Sequence, residues 1–109
     1  ILVASSSVDI HGKNGPMSTE YKTVENGRWY GVPYRCLLPK KVEGLLVAGR
    51  SLSATSDAAG AVRVMPPVMA MGQAAGTAAA IAIKDGTTPR KVDIPKLIST
   101  LKDRKVFLG

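Results

Sequence analysis

His11 is the single histidine of a 109-residue chain and follows Asp9 by two positions. In an extended segment the two side chains share a face, and a histidine in the glycine-containing run HGKNG can give or take a proton near neutral pH. A surface turn residue, or a hydrogen-bonded structural histidine, fits the same pattern. Ser51, Ser53 and Ser56 lie in no recognisable nucleophile elbow and have no partnering base, so the chain offers no complete catalytic set. Cys36 is the only cysteine, which excludes an internal disulfide and any cysteine-based zinc site. Its place between Arg35 and Leu37 in an apolar run favours a buried, inert thiol. With one histidine, multi-histidine metal sites are excluded as well, and no metal site is expected.

A second place for chemistry lies between Ala48 and Met65. This stretch is rich in Ser, Ala, Thr and Gly and leads to a helix N-terminus. Unpaired N–H groups and the positive end of the helix dipole favour an anion or developing negative charge there. Gly49, Gly60 and their small neighbours let backbone approach a large planar or phosphorylated ligand, and Arg50 and Arg63 can supply fixed positive charge. Many buried helices also start after small-residue loops, so this pattern fits a purely structural joint too.

The elements that would hold these residues are uneven in strength. Residues 1–10 (ILVASSSVDI) suit one strand, residues 11–15 a turn, residues 21–24 a short extended piece, and Asn26-Gly27 another turn. Residues 29–38 (WYGVPYRCLL) have strand-forming types, but Pro33 restricts them to an edge or irregular strand, and Pro39 closes the run. Residues 45–48 (LLVA), bounded by Gly44 and Gly49, predict a central strand buried on both faces, as in a parallel sheet. Residues 50–64 read as a loop. Pro66 and Pro67 suit a helix start, residues 68–84 are good helix formers, and Asp85-Gly86 ends them. Gly72, Gly76 and Ala80 form a small-residue stripe that permits close approach of another backbone. Asp93 can cap a final helix with Pro95 in its first turn and Ile94, Leu97, Ile98 and Leu101 at helical spacing.

Composition bounds the partners. Formal net charge is +7, yet residues 44–83 carry only Arg50, Asp57 and Arg63 as charged side chains. The basic balance permits nucleic-acid or anionic-surface binding, but no basic tract is interleaved with aromatics, and a solvated basic face explains it better. Small-xxx-small spacing is also a membrane packing signal. Two prolines open the helix and Ala and Gly dominate it, so no membrane span is expected. A segment this poor in charge is built to be covered on every side, and the rest of the chain is too short to do it. Because the sequence opens at Ile1, with no Met and no basic segment ahead of its apolar residues, it is expected to be part of something larger.

The run VPYRCLLPKKVEGLLVAGRSLSATSDAAGAVRVMPPVMAMGQAAGTAAAIA closely resembles the C-terminal segment of bacterial FAD-dependent oxidoreductases, relatives of the fumarate reductase and succinate dehydrogenase flavoproteins. The resemblance covers roughly residues 8–101. It rests on the motif at residues 34–40, the strand end at 46–51, Arg63-Val64-Met65, and the helix at 71–77, in that order. It implies the C-terminal portion of a Rossmann-like α/β FAD-binding domain, in which a strand returns to the sheet and a helix is aimed at the flavin. On that likeness Gly49 and Arg50 border the ribityl–pyrophosphate region. The amides near Val64 and Met65 approach the flavin pyrimidine ring, where reduction places negative charge, and Arg63 is a candidate for the same charge. His11 falls on the substrate side as the candidate catalytic residue. No G-x-G-x-x-G occurs in the chain, so the phosphate-binding half is absent from it.

These readings combine into an α/β piece, incomplete on its own, with a few strands, a buried Ala/Gly-rich helix and a C-terminal amphipathic helix. It divides into a substrate-side extended segment (residues 1–43), a returning strand with the buried helix (44–86) and the terminal helix (87–109). The implied parent binds FAD and transfers a hydride or electrons to or from a small organic substrate. The piece alone is expected to be inactive, to need the missing N-terminal part of the same polypeptide, and to self-associate. Rival readings are a basic module for anions or nucleic acid, and a structural or oligomerisation piece without flavin.

Overall fold

The computed structural model describes residues 1–4, 8–11, 19–22 and 28–108, and only the backbone for 8–11 and 19–22. The described elements are β1 (Leu2–Ala4), β2 (Val8–His11), β3 (Thr19–Lys22), β4 (Tyr30–Val32), α1 (Ser56–Val62), α2 (Met65–Lys84) and α3 (Ile94–Asp103). β1 pairs antiparallel with β4, placing Leu2 opposite Val32, and β2 pairs antiparallel with β3, placing His11 opposite Thr19. The one strand expected within residues 1–10 is therefore replaced, among the described residues, by two with different partners. His11 closes a strand instead of opening a turn. The turns expected at residues 12–15 and 26–27 lie outside the described residues.

Pro33 stops β4 as its missing N–H requires, and the chain tightens into a 3₁₀ turn at Tyr34–Leu37. The strand expected at residues 45–48 does not form. The segment has no ladder partner among the described residues and makes one backbone bond, from Val47 N–H to the Leu37 carbonyl at 2.9 Å. Nor is it buried on both faces, because Leu45 is 46% exposed. An apolar run becomes a central strand only when strands flank it, and all described pairing is antiparallel and elsewhere.

α2 starts where the prolines allow, with Val64 as N-cap and Pro66 in the first turn, and it ends at Asp85 and Gly86. Gly86 adopts φ +63°, and Thr87 N–H reaches back to the Ala82 carbonyl at 2.9 Å, a Schellman-type closure. One face of α2, carrying Pro67, Met71, Ala74, Ala78, Ile81 and Ala82, is buried against β1 and α3. The other face is bare and mostly apolar: Met65, Met69 and Ile83 are 79%, 73% and 83% exposed, with Gly72, Gly76, Ala80 and the polar Gln73 between them. The helix expected to be covered all round is thus covered on one side.

α3 has the expected amphipathic form. Asp93 Oδ1 accepts from Lys96 N–H at 3.3 Å, Leu97 and Leu101 are fully buried, and Ile94 and Ile98 are half-buried. Lys96 also pairs with Asp85 at 2.6 Å, on the surface. The core joins these leucines to Leu2, Val32, Leu37, Met71 and Ala74.

Candidate functional site

The motif at residues 34–40 is mainly a fastening. Tyr34 is buried and its hydroxyl donates to the Pro89 carbonyl at 2.8 Å, tying the 3₁₀ turn to the loop between α2 and α3. Burial pushes the Tyr34 hydroxyl pKa up from its ordinary value. Leu37 fills the core, and its carbonyl accepts from Val47. The Cys36 carbonyl accepts from Ser53 N–H at 3.0 Å, and the Pro39 carbonyl accepts from Arg90, which also pairs with Glu43 at 2.6 Å. These bonds fix the two ends of the segment that delivers Gly49.

Gly49–Ser51 is a 3₁₀ turn packed against α2. Gly49 is buried at φ +77°, a conformation that side chains with a Cβ rarely adopt, and a Cβ there would lie 3.5 Å from Val68 Cγ1. Val68 is in the first turn of α2, so the glycine turn lies alongside that helix's N-terminus. Ser51 Oγ donates to the Ala48 carbonyl at 3.1 Å and braces the turn. Arg50 is exposed beside it.

The α2 N-terminus has no side-chain cap. Among its first three residues only Met65 has an N–H, since Pro66 and Pro67 have none, and Val64 N–H stands just before it. Arg63 is half-buried and caps the C-terminus of α1, its N–H bonded to the Ala59 carbonyl at 3.1 Å. Arg63 and Val64 thus form the short joint between two helices. The structure lays the Gly49 turn along α2 at Val68, one turn from Val64 and Met65, while Arg50 follows Gly49 and Arg63 precedes Val64 in the chain. His11 ends β2, whose backbone lies against α1, and its side chain lies outside the described residues.

The loop expected at residues 50–64 contains a helix, α1, at Ser56–Val62. Its signal is Thr55, whose Oγ1 accepts from Ala58 N–H at 3.3 Å as an N-cap, followed by Asp57 in the first turn and a run of alanines. Because α1 forms, a cavity of about 300 Å³ opens between it and β4, with Tyr30, Pro33, Cys36, Leu52, Ala58 and Ala61 among its lining residues. Cys36 is half-buried at this cavity, not sealed in the core. No group of three or more metal-ligating side chains occurs among the described residues, and no described helix is long and apolar enough to cross a membrane.

Three helices, small sheets and a glycine turn laid on an uncapped helix N-terminus fit part of an α/β cofactor-binding domain. The model of the FAD-dependent oxidoreductase family matches residues 1–101, and the chain belongs to that family. No curated protein and no solved structure matches it. The family implies FAD as the cofactor of the parent enzyme, and a chain of this length fits a fragment of such an enzyme. The groups present suit one side of FAD: backbone N–H donors at a helix N-terminus, a close-approach glycine, and a solvent-facing guanidinium at Arg50.

Proposed function

We propose that this chain is the flavin-facing C-terminal piece of a longer oxidoreductase, akin to the fumarate reductase and succinate dehydrogenase flavoproteins, and that it is inactive alone. The observation that carries this reading is the Gly49 turn lying beside the uncapped first turn of α2. Gly49 keeps backbone close to the ribityl–pyrophosphate region, and Arg50 offers it positive charge. Val64 and Met65 N–H groups face the isoalloxazine edge that gains electron density. The dipole of the 20-residue α2 and Arg63 favour negative charge at that edge. Bound FAD supplies hydride- and electron-transfer chemistry to an organic substrate. His11 is the proton donor or acceptor on the substrate side. Residues 1–43 belong to the substrate side, 44–86 to the Rossmann-like FAD domain, and 87–109 form its C-terminal amphipathic helix. The strand that residues 45–48 fail to make alone forms when the N-terminal part of the polypeptide supplies its neighbours, and that part also covers the bare face of α2.

The test is the visible absorbance of the purified full-length polypeptide. Flavin bands that are missing from the 109-residue chain support a cofactor site split between the two parts. Arg50→Ala, at an exposed position, weakens FAD retention roughly tenfold without unfolding the protein. A colourless full-length protein that cannot be reconstituted with FAD overturns the reading.

A further inference from the structure

The cavity between α1 and β4 is not accounted for by the flavin-facing turn. One side is built from Tyr30, Gly31, Val32 and Pro33, and the other from Ala54, Ala58, Ala61 and Val62. Small side chains on α1 and the open space beside Gly31 leave an almost wholly apolar slot. At about 300 Å³ the slot is at the lower end of small-ligand pockets. Its polar groups are already engaged. The Tyr30 hydroxyl donates to the Ala61 carbonyl at 2.9 Å, and Asp57, the one charged residue among the described lining, also has an interaction partner. A charged ligand would lose its water here with little return, whereas an uncharged ring would leave water at no polar cost.

Two lining residues also adjoin the proposed flavin face along the chain. Leu52 directly follows the Gly49–Ser51 turn and Val62 directly precedes Arg63, and both line the slot. We infer that this cavity is a substrate subsite that takes an uncharged, ring-sized apolar group, with Cys36 in its wall. The inference rests on the oxidoreductase reading for the word substrate, and on the slot alone for the ring-sized group.

Cys36 makes the site addressable. In the intact polypeptide, its modification by N-phenylmaleimide and by N-ethylmaleimide is compared by peptide mass spectrometry, each rate normalised to that with free glutathione. In both cases the thiol sulfur adds to the maleimide double bond and the proton ends on the neighbouring carbon. The phenyl reagent is expected to gain about tenfold from seating its ring in the slot. Ala54→Leu and Ala58→Phe, at two exposed lining positions, fill the slot and abolish the gain with unchanged circular dichroism. Equal normalised rates, a gain that survives both folded variants, or a Cys36 that neither reagent reaches overturns the inference. Flavin absorbance of the same sample separates the two readings. A colourless protein that keeps the ring preference sinks the FAD reading and leaves the slot, while a flavin-loaded protein without the preference does the reverse.

Discussion

Tyr34 and Gly49 show how single residues set this structure. The Tyr34 hydroxyl is buried and bonded to the Pro89 carbonyl, so Tyr34→Phe strands that carbonyl and costs about 1 kcal/mol. The loss depends on pH. Folded Tyr34 holds its proton to higher pH than the unfolded chain, whose tyrosine titrates near 10. The folded state therefore binds more protons in that range, and its advantage is intact below 10 and falls as pH rises towards the raised folded value. Urea titrations of wild type and Tyr34→Phe at about pH 8 and about pH 11 should show the stability gap shrinking at the higher pH. A gap equal at both would mean that Tyr34 is not buried as described. At Gly49 the limit is the backbone. Alanine at φ +77° costs about 1–2 kcal/mol, whereas its Cβ meets Val68 at an ordinary 3.5 Å. Asparagine, which tolerates positive φ, should therefore destabilise less than alanine in the same titration. A larger loss with asparagine would point to crowding against α2.

Among the elements, helices were legible in proportion to how much of their cause is local. Asp93, Pro95 and the Ile94, Leu97, Ile98, Leu101 spacing specify α3 by themselves, and Pro66 with Asp85-Gly86 brackets α2. α1 was not read because Gly60 and the surrounding Ser, Thr and Ala look like loop, although Thr55 carries a cap. Missing α1 also hid the slot at Cys36. Residues 45–48 failed in the opposite direction: their composition describes a central strand, but strands are completed by partners, which no local pattern contains. The Gly49 turn was readable from its bounding glycine, but its place against Val68 was not. Helix ends offer a direct comparison. Lys105 occupies φ +60° just beyond α3, and Val106 N–H bonds to the Leu101 carbonyl at 3.0 Å, the same closure that Gly86 gives α2. Lys105→Gly should stabilise the protein by about 0.5–1 kcal/mol and Gly86→Ala should destabilise it by about 1 kcal/mol. Thermal melts of the two variants should move in opposite directions. Movement in the same direction would mean that something other than the left-handed backbone controls these ends.

At the scale of the molecule, the radius of gyration is 15.1 Å with a thinnest extent of 16 Å, against about 13 Å expected for a compact domain of this length. The chain is a slab in which α2 is covered on one face and bare on the other. That geometry explains why a helix with Met, Ala, Gly and Ile on every side has no polar stripe: its second face is dressed for burial, not for water. Covering a large apolar side chain stabilises by about 1.5–3 kcal/mol, so Met65, Met69 and Ile83 together form a strong adhesive surface. Met69→Glu with Ile83→Glu should leave the circular dichroism of the 109-residue chain unchanged, because both side chains already face solvent. The self-association expected of this apolar face should be weakened by the same pair about 100-fold or more in sedimentation, and a chain that is monomeric without the substitutions would refute that expectation. In the intact oxidoreductase, where the proposed N-terminal part covers this face, the same pair should lower stability and FAD retention together. Met71→Glu differs in kind, since Met71 is fully buried within this chain and its replacement should unfold the chain itself. If the double variant leaves the intact protein fully loaded with FAD and equally stable, the bare face of α2 is not where the rest of the polypeptide sits.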